Sequence, residues 1–161
     1  MIHVFFYDTW LGRIGIADNG SAITEVFFDD GSMPAGATRQ ETPLIKQTGA
    51  QLDEYFRGAR ETFDLPLAPV GTAFQQAVWR VLQTIPYGKT MHYQAVAALV
   101  GNPKASRAVG MANNRNPISI IIPCHRVIGK NGALVGYGGG LAIKEKLLAL
   151  EQRHNNTPAQ D

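Results

Sequence analysis

One cysteine occurs in the 161 residues: Cys124, in "IIPCHRV", with His125 and Arg126 directly after it. A thiol attacks as the thiolate, and nearby cations favour that form. One cysteine cannot make an internal disulfide or a zinc site of the CxxC kind, and it suits a reducing cytoplasm. A lone free cysteine is also an ordinary small core residue. Three features favour chemistry here. The thiol stands where an apolar run ends, its flank is polar and basic, and an imidazole is adjacent. Neighbours in extended chain point to opposite sides, so His125 can serve Cys124 only if the chain turns there or a water intervenes. A nucleophile–base pair needs a third group to orient the base. The C-terminal half offers Glu145, Glu151 and Asp161. Glu151 is the candidate, its plain alternative being a solvated helix face.

The surrounding elements must position these groups. "ISIII" (118–122) reads as a buried strand that Pro123 terminates. The loop "GKNGALVGYGGG" lacks GxxxxGK[ST], which excludes a phosphate cradle. "LAIKEKLLALEQRH" reads as a helix turning Leu141, Leu147, Leu148 and Leu150 to a core. Upstream, "TAFQQAVWRVLQTI" is amphipathic, with Phe74, Val78, Val81, Leu82 and Ile85 inward. "HYQAVAALVG" and "NPKASRAVGMANN" have the shape of a helix-turn-helix, with Asn102 as cap and Pro103 at the first helical position. The second helix carries the small residues Ala105, Ser106, Ala108 and Gly110, which permit close approach to another surface, interrupted by one long residue, Arg107.

The N-terminal stretch has a different grain. "HVFFY", "GRIGIAD" and "AITEVFF" read as strands, and Thr42–Pro43 opens a helix with Leu44, Ile45, Leu52, Tyr55 and Phe56 on one face, ended by Gly58. Asp29 and Asp30 fit a solvated turn better than a metal site. The chain is thus α+β: a strands-plus-helix domain over 1–64, a linker over 65–71, and a mainly helical domain over 72–154. A tail over 155–161 is expected to be disordered.

Charge divides at the same place. Residues 1–64 carry a net −5 and residues 65–161 a net +7, with no acid between Asp64 and Glu145. A basic half suits an anionic partner, nucleic acid above all. No run is long enough to span a membrane, and the N-terminus lacks the marks of a signal peptide.

The stretch "NPISIIIPCHRVIGKNGALVGYGGGLAIKEKLLALE", extended back through "PYGKTMHYQAVAALVGNPKASRAVGMANNRNP", resembles the O6-alkylguanine-DNA alkyltransferases, compact bacterial type. The match covers roughly residues 72–151. The resemblance implies a ribonuclease-H-like first domain and a winged helix-turn-helix-like second one. It implies direct-reversal DNA repair, in which an alkyl group passes from O6-alkylguanine, and O4-alkylthymine, in duplex DNA to Cys124 in a single turnover. His125 and Glu151 would relay the proton through water. Asn116 would hold the active-site turn, and Tyr93 would rotate the nucleotide and donate to the purine. Arg107 would fill the gap left by the flipped base, while Ala105, Ser106, Ala108 and Gly110 face the minor groove. Lys104, Arg115 and Lys89 would meet phosphates. Val127, Tyr137 and Gly138 would line the base pocket, whose glycines at 138–140 suggest a roomy wall. No cofactor is implied. A zinc site of the kind some relatives carry is not expected, because the first domain has no Cys and only His3. The protein is expected to be a monomer in the cytoplasm, with double-stranded DNA as its partner.

Two other classes share parts of the pattern. A non-catalytic DNA-damage-binding or winged-helix regulatory protein needs the basic half but not "PCHR". A cysteine hydrolase needs Cys124 and His125 but not the basic helix pair, and it would turn over repeatedly.

Overall fold

In the computed structural model, residues 1–134, 136–137 and 139–154 are described. Gly138 and the tail expected over 155–161 lie outside them. Strands β1 (His3–Thr9), β2 (Gly12–Asp18) and β3 (Ile23–Phe28) form an antiparallel meander, and β4 (Thr38–Arg39) adds in parallel to β1, giving the order β3-β2-β1-β4. Asn19 makes the second turn, its Oδ1 accepting from the amides of Ser21 and Ala22. Gly15 on β2 lies under the Phe27 ring: a Cβ there would come 2.3 Å from it and the ring would have to shift. The short strand β4 was not foreseen: two residues carry no alternation to detect.

Helix α1 (Pro43–Phe56) begins where expected, with Thr42 Oγ1 accepting from the Ile45 amide. Ile45, Leu52 and Tyr55 reach the core. Residues 65–71 do not hang free: the amides of Ile23 and Ala68 bond to Pro66 and Ile23 carbonyls, so this stretch lies along β3.

The second half contains α2 (Ala73–Leu82), β5 (Met91–His92), α3 (Tyr93–Leu99), α4 (Ser106–Asn114), β6 (Val127–Ile128) and α5 (Leu141–Arg153). Strands β5 and β6 pair in parallel beside the α3–α4 helix pair. On α2, Val78 and Leu82 are buried, and Ile85 just beyond it, as expected. The largest core side chain there is Trp79, outside the expected stripe; its Nε1 donates to the Ala112 carbonyl at 2.9 Å and ties α2 to α4. One continuous apolar core runs through both halves.

Three expectations are corrected. The run 118–122 is not a strand. Ile118 makes a single bridge to Val26 of β3, after which the chain turns, with Ile120 at φ 73° and the Ile122 amide bonded to the Ile118 carbonyl. The run is apolar because it is wedged between the halves; a buried turn and a buried strand look alike in hydropathy. Helix α4 starts at Ser106, not near Pro103. Asn102 caps a turn instead, its Oδ1 accepting from Lys104 and its carbonyl from Ala105. Asn–Pro initiates turns as readily as helices. Leu141 is 48% exposed, and the inward stripe of α5 is Lys144, Leu147, Leu150 and Glu151. Leu141 precedes Leu147 by six residues, about 120° round the helix at 3.6 residues per turn.

Asp29 and Asp30 serve their own turn. They accept from the Gly31 and Ser32 amides, and Asp29 faces Arg13.

Candidate active site

Cys124, His125 and Arg126 form one short 3-10 turn after Pro123, and all three are buried. At about three residues per turn, successive side chains stand about 120° apart instead of on opposite sides as in extended chain. Asn116 shapes the approach. Its Oδ1 accepts from the Ile118 amide at 3.0 Å, and its Nδ2 donates to the Ile122 carbonyl at 2.7 Å and the Ile118 carbonyl at 3.3 Å. One side chain thus spans both ends of the loop and holds Ile120 in a left-handed backbone conformation that is costly for a β-branched residue. The direct tie to α4 is Asn113, whose Nδ2 donates to the Cys124 carbonyl at 3.2 Å.

Glu151 is the electrostatic centre. Its Oε2 accepts from His125 Nε2 at 2.7 Å, Arg126 Nη2 at 2.9 Å and Tyr55 Oη at 2.6 Å. Its Oε1 accepts from Arg126 Nε at 2.9 Å and the Gly88 amide at 3.2 Å. Arg126 also donates from Nη1 to the Ile85 carbonyl at 2.7 Å. Burial alone would raise the carboxyl pKa. The hydrogen bonds and charges of His125 and Arg126 overcome it and bring the group down to about 2. The His125 pKa is lowered as well, for a different reason. Burial lowers its pKa, and Arg126 and Lys144 reinforce this against the pull of Glu151, so the imidazole is neutral near pH 7. A carboxylate can only accept, so Nε2 carries the proton and Nδ1 offers a lone pair. Nδ1 is buried and makes no hydrogen bond among the described residues.

Arg126 therefore serves Glu151, and the basic flank does not make a resting thiolate. Burial pushes the Cys124 thiol up to about 11, opposed by a hydrogen bond from Asn116, the charge of Lys144 and backbone N–H groups. The cation that acts on the thiol is Lys144, which was not among the expected site residues. It is fully buried on α5, donates to the Val127 carbonyl at 2.6 Å and lies 5.9 Å from the Tyr93 ring centre. The spacing Lys144, Leu147, Glu151 is i, i+3, i+7, so one helical face was there to be read.

The tyrosines close the site. Tyr93 opens α3, half-buried; burial and then the charge of Cys124 raise its pKa, against a hydrogen bond from Asn113. The Tyr137 phenol is pushed well up by burial and then by Cys124, and its ring meets Phe28 of β3 edge-on at 6.1 Å. Val127 is fully buried. Gly139 is a packing glycine: a Cβ there would come 2.7 Å from the Phe28 ring. On α4, Val109, Ala112 and Asn113 face the core. Arg107, Ala108, Met111 and Arg115 are exposed, and Ala105, Ser106 and Gly110 half-buried. Lys104, Lys89 and these arginines are exposed and make no ion pair among the described residues.

The family model described as "6-O-methylguanine DNA methyltransferase, DNA binding domain" matches residues 73–153. The one described as "6-O-methylguanine DNA methyltransferase, ribonuclease-like domain" matches residues 2–69. The chain belongs to the 6-O-methylguanine DNA methyltransferase family. A constitutive methylated-DNA–protein-cysteine methyltransferase of Bacillus subtilis is 47% identical over 152 residues, covering 90% of this chain and 92% of that one. The O6-methylguanine methyltransferase of Mycobacterium tuberculosis superposes with a TM-score of 0.89 at 41% identity, covering 99% of this chain and 97% of that chain. A structure of the Mycobacterium tuberculosis protein in complex with DNA matches equally, with a TM-score of 0.89 and 43% identity over 98% and 96% of the two chains. Within this methyltransferase frame, Cys124, His125, Arg126 and Glu151 fall in the DNA-binding domain match and Tyr55 in the ribonuclease-like match.

Proposed function

We infer that this chain repairs DNA by direct reversal, moving the alkyl group of O6-alkylguanine in a duplex onto Cys124 in one turnover. The observation that carries the reading is a buried, protonated thiol on a turn whose next residue is a neutral imidazole locked to a carboxylate. The base is needed only when the alkyl carbon is in place. Cys124 Sγ then bonds to that carbon, the C–O6 bond breaks, and its electron pair moves into the purine. The thiol proton passes to His125 Nδ1, through a water, while Glu151 holds the far side of the ring. Tyr93 donates toward the purine as negative charge develops there. The product is a thioether, and no group beside it could regenerate the thiol, so each molecule acts once. No cofactor enters these steps. O4-alkylthymine presents the same alkyl–oxygen bond and is the second substrate class.

The target atom is out of reach inside a duplex, so the nucleotide must flip. Arg107, on the exposed face of α4, is the side chain to fill the gap, with Ala105, Ser106, Ala108 and Gly110 allowing approach to the minor groove. Lys104, Arg115 and Lys89 contact phosphates, making affinity salt-dependent and nearly independent of sequence. Val127 and Tyr137 line the base pocket. The protein acts as a monomer in the cytoplasm, where its single thiol stays reduced. Among the described residues no helix is long and apolar enough to cross a membrane. The test is restoration of guanine in a duplex bearing one O6-methylguanine, titrated against protein. Yield should stop at one base per protein. Yield beyond that would indicate a turning-over hydrolase, and binding without restoration a damage-binding protein.

A further inference from the structure

The carboxylate at the centre of the site is completed from the other half of the chain. Tyr55 lies on α1, 96 residues before Glu151, and its hydroxyl donates to Oε2 at 2.6 Å with both groups buried. His125 donates to the same oxygen at 2.7 Å. Arg126 Nη2 is the third donor to that oxygen, at 2.9 Å. Donors that share one carboxylate oxygen compete for its electron density, and the bond to Tyr55 weakens the hold of Oε2 on the imidazole proton. Burial and then Glu151 push the Tyr55 pKa well up, so the phenol stays a donor. The charged groups acting on His125 are Glu151 and Lys144 from α5 and Arg126 from its own turn. Tyr87 meets Tyr55 edge-on at 6.0 Å, and its hydroxyl makes no hydrogen bond among the described residues.

We propose that Tyr55 is a positioning residue for the transfer reaction: its hydroxyl, supplied by the N-terminal half, fixes Glu151 Oε2 and sets how strongly that oxygen draws the His125 proton. This rests on the reading that neutral His125 accepts the thiol proton. Removing the hydroxyl leaves more negative charge facing His125, stabilises the imidazolium and raises its pKa. Transfer needs the neutral ring, so the rate falls as pH drops through that pKa, and the acid limb moves to higher pH. A hydrogen bond to a charged group corresponds to roughly one to two pK units, part of which reaches His125, so the limb should shift up by roughly half to one pH unit.

The experiment compares the full-length protein with Tyr55→Phe, Tyr87→Phe and a protein carrying 3-fluorotyrosine at position 55, a stronger donor. Two readouts are taken: single-turnover rate against pH on an O6-methylguanine duplex, and the His125 Nε2–H proton resonance in the DNA-free protein. Tyr55→Phe should move the limb up and the resonance downfield, fluorotyrosine should move both oppositely, and Tyr87→Phe should move neither. If Tyr55→Phe does not fold, the fluorotyrosine protein carries the test. A limb and resonance unmoved by any change at position 55 overturn the proposal. A parent protein inert on the duplex overturns the functional reading instead, and the resonance still decides whether Tyr55 tunes His125.

Discussion

Replacing Glu151 by Gln keeps the shape of the buried centre and removes its charge. The consequence can be worked from the contacts. Oε2 receives three donors and Oε1 two. Turned one way, its NH2 faces Arg126 and the Gly88 amide, which can only donate; turned the other, it faces Arg126, which can only donate, and Tyr55 and His125, which would have to change from donor to acceptor. Arg126 is 7% exposed and is left as a buried cation without its counter-charge. Breaking a buried ion pair from one side costs about 3–5 kcal/mol. For a urea m-value of about 2 kcal/mol/M, that lowers the unfolding midpoint by about 2 M. The transfer rate should fall about 10²–10⁴-fold, because His125 loses the group that fixes its tautomer and stabilises its charged form. Equilibrium urea unfolding and single-turnover kinetics measure the two effects. Glu151 sits at about 2 in the folded protein against an ordinary 4.5, so its stabilisation is present above pH 4.5 and is lost as pH falls toward 2. Glu151→Gln should remove that part of the acid dependence. A variant within about 1 kcal/mol of the parent, with transfer intact, would refute the assignment of Glu151 as the centre of the site.

Three further outcomes follow. Alkylation of Cys124 by iodoacetamide in the DNA-free protein should be slow at pH 7 and rise tenfold per pH unit through pH 9 without a plateau, because the thiol titrates near 11; a plateau below pH 8 would mean a resting thiolate. Arg107→Ala should slow transfer from duplex far more than from single-stranded DNA, where no gap needs filling, and equal losses on both would remove it from that role. Asn116→Ala leaves the Ile118 amide and the Ile118 and Ile122 carbonyls without this partner, and should cost about 2–4 kcal/mol in urea unfolding; a loss under 1 kcal/mol would mean the turn holds itself.

Much of the fold follows from local rules. The three long strands carry apolar runs punctuated by Asn-Gly and Thr-Trp-Leu-Gly turns, and α1 announces itself with Thr-Pro. What hydropathy could not convey is where a buried segment goes. Residues 118–122 look like a strand because four of the five are isoleucine, yet Asn116 folds them into a turn that meets β3 at one rung. The same limit hid Lys144, since a buried lysine breaks the usual rule that places its ammonium in water. Arg126 was legible as a cation but not as the partner of Glu151, because that pairing is made by tertiary folding across 25 residues. Tyr55 was legible only as a core aromatic; its hydroxyl meets a carboxylate nearly a hundred residues away. Cys124, His125 and Glu151 could be nominated because thiol, imidazole and carboxylate are scarce in that half.

Whether Cys124 takes the alkyl group and keeps it is read from intact mass after incubation with excess duplex carrying one O6-methylguanine. The protein should gain one methyl group, mapped by peptide fragmentation to Cys124, and Cys124→Ala should gain none. A protein that binds the duplex and emerges unmodified, or carries the methyl elsewhere, would contradict transfer to Cys124.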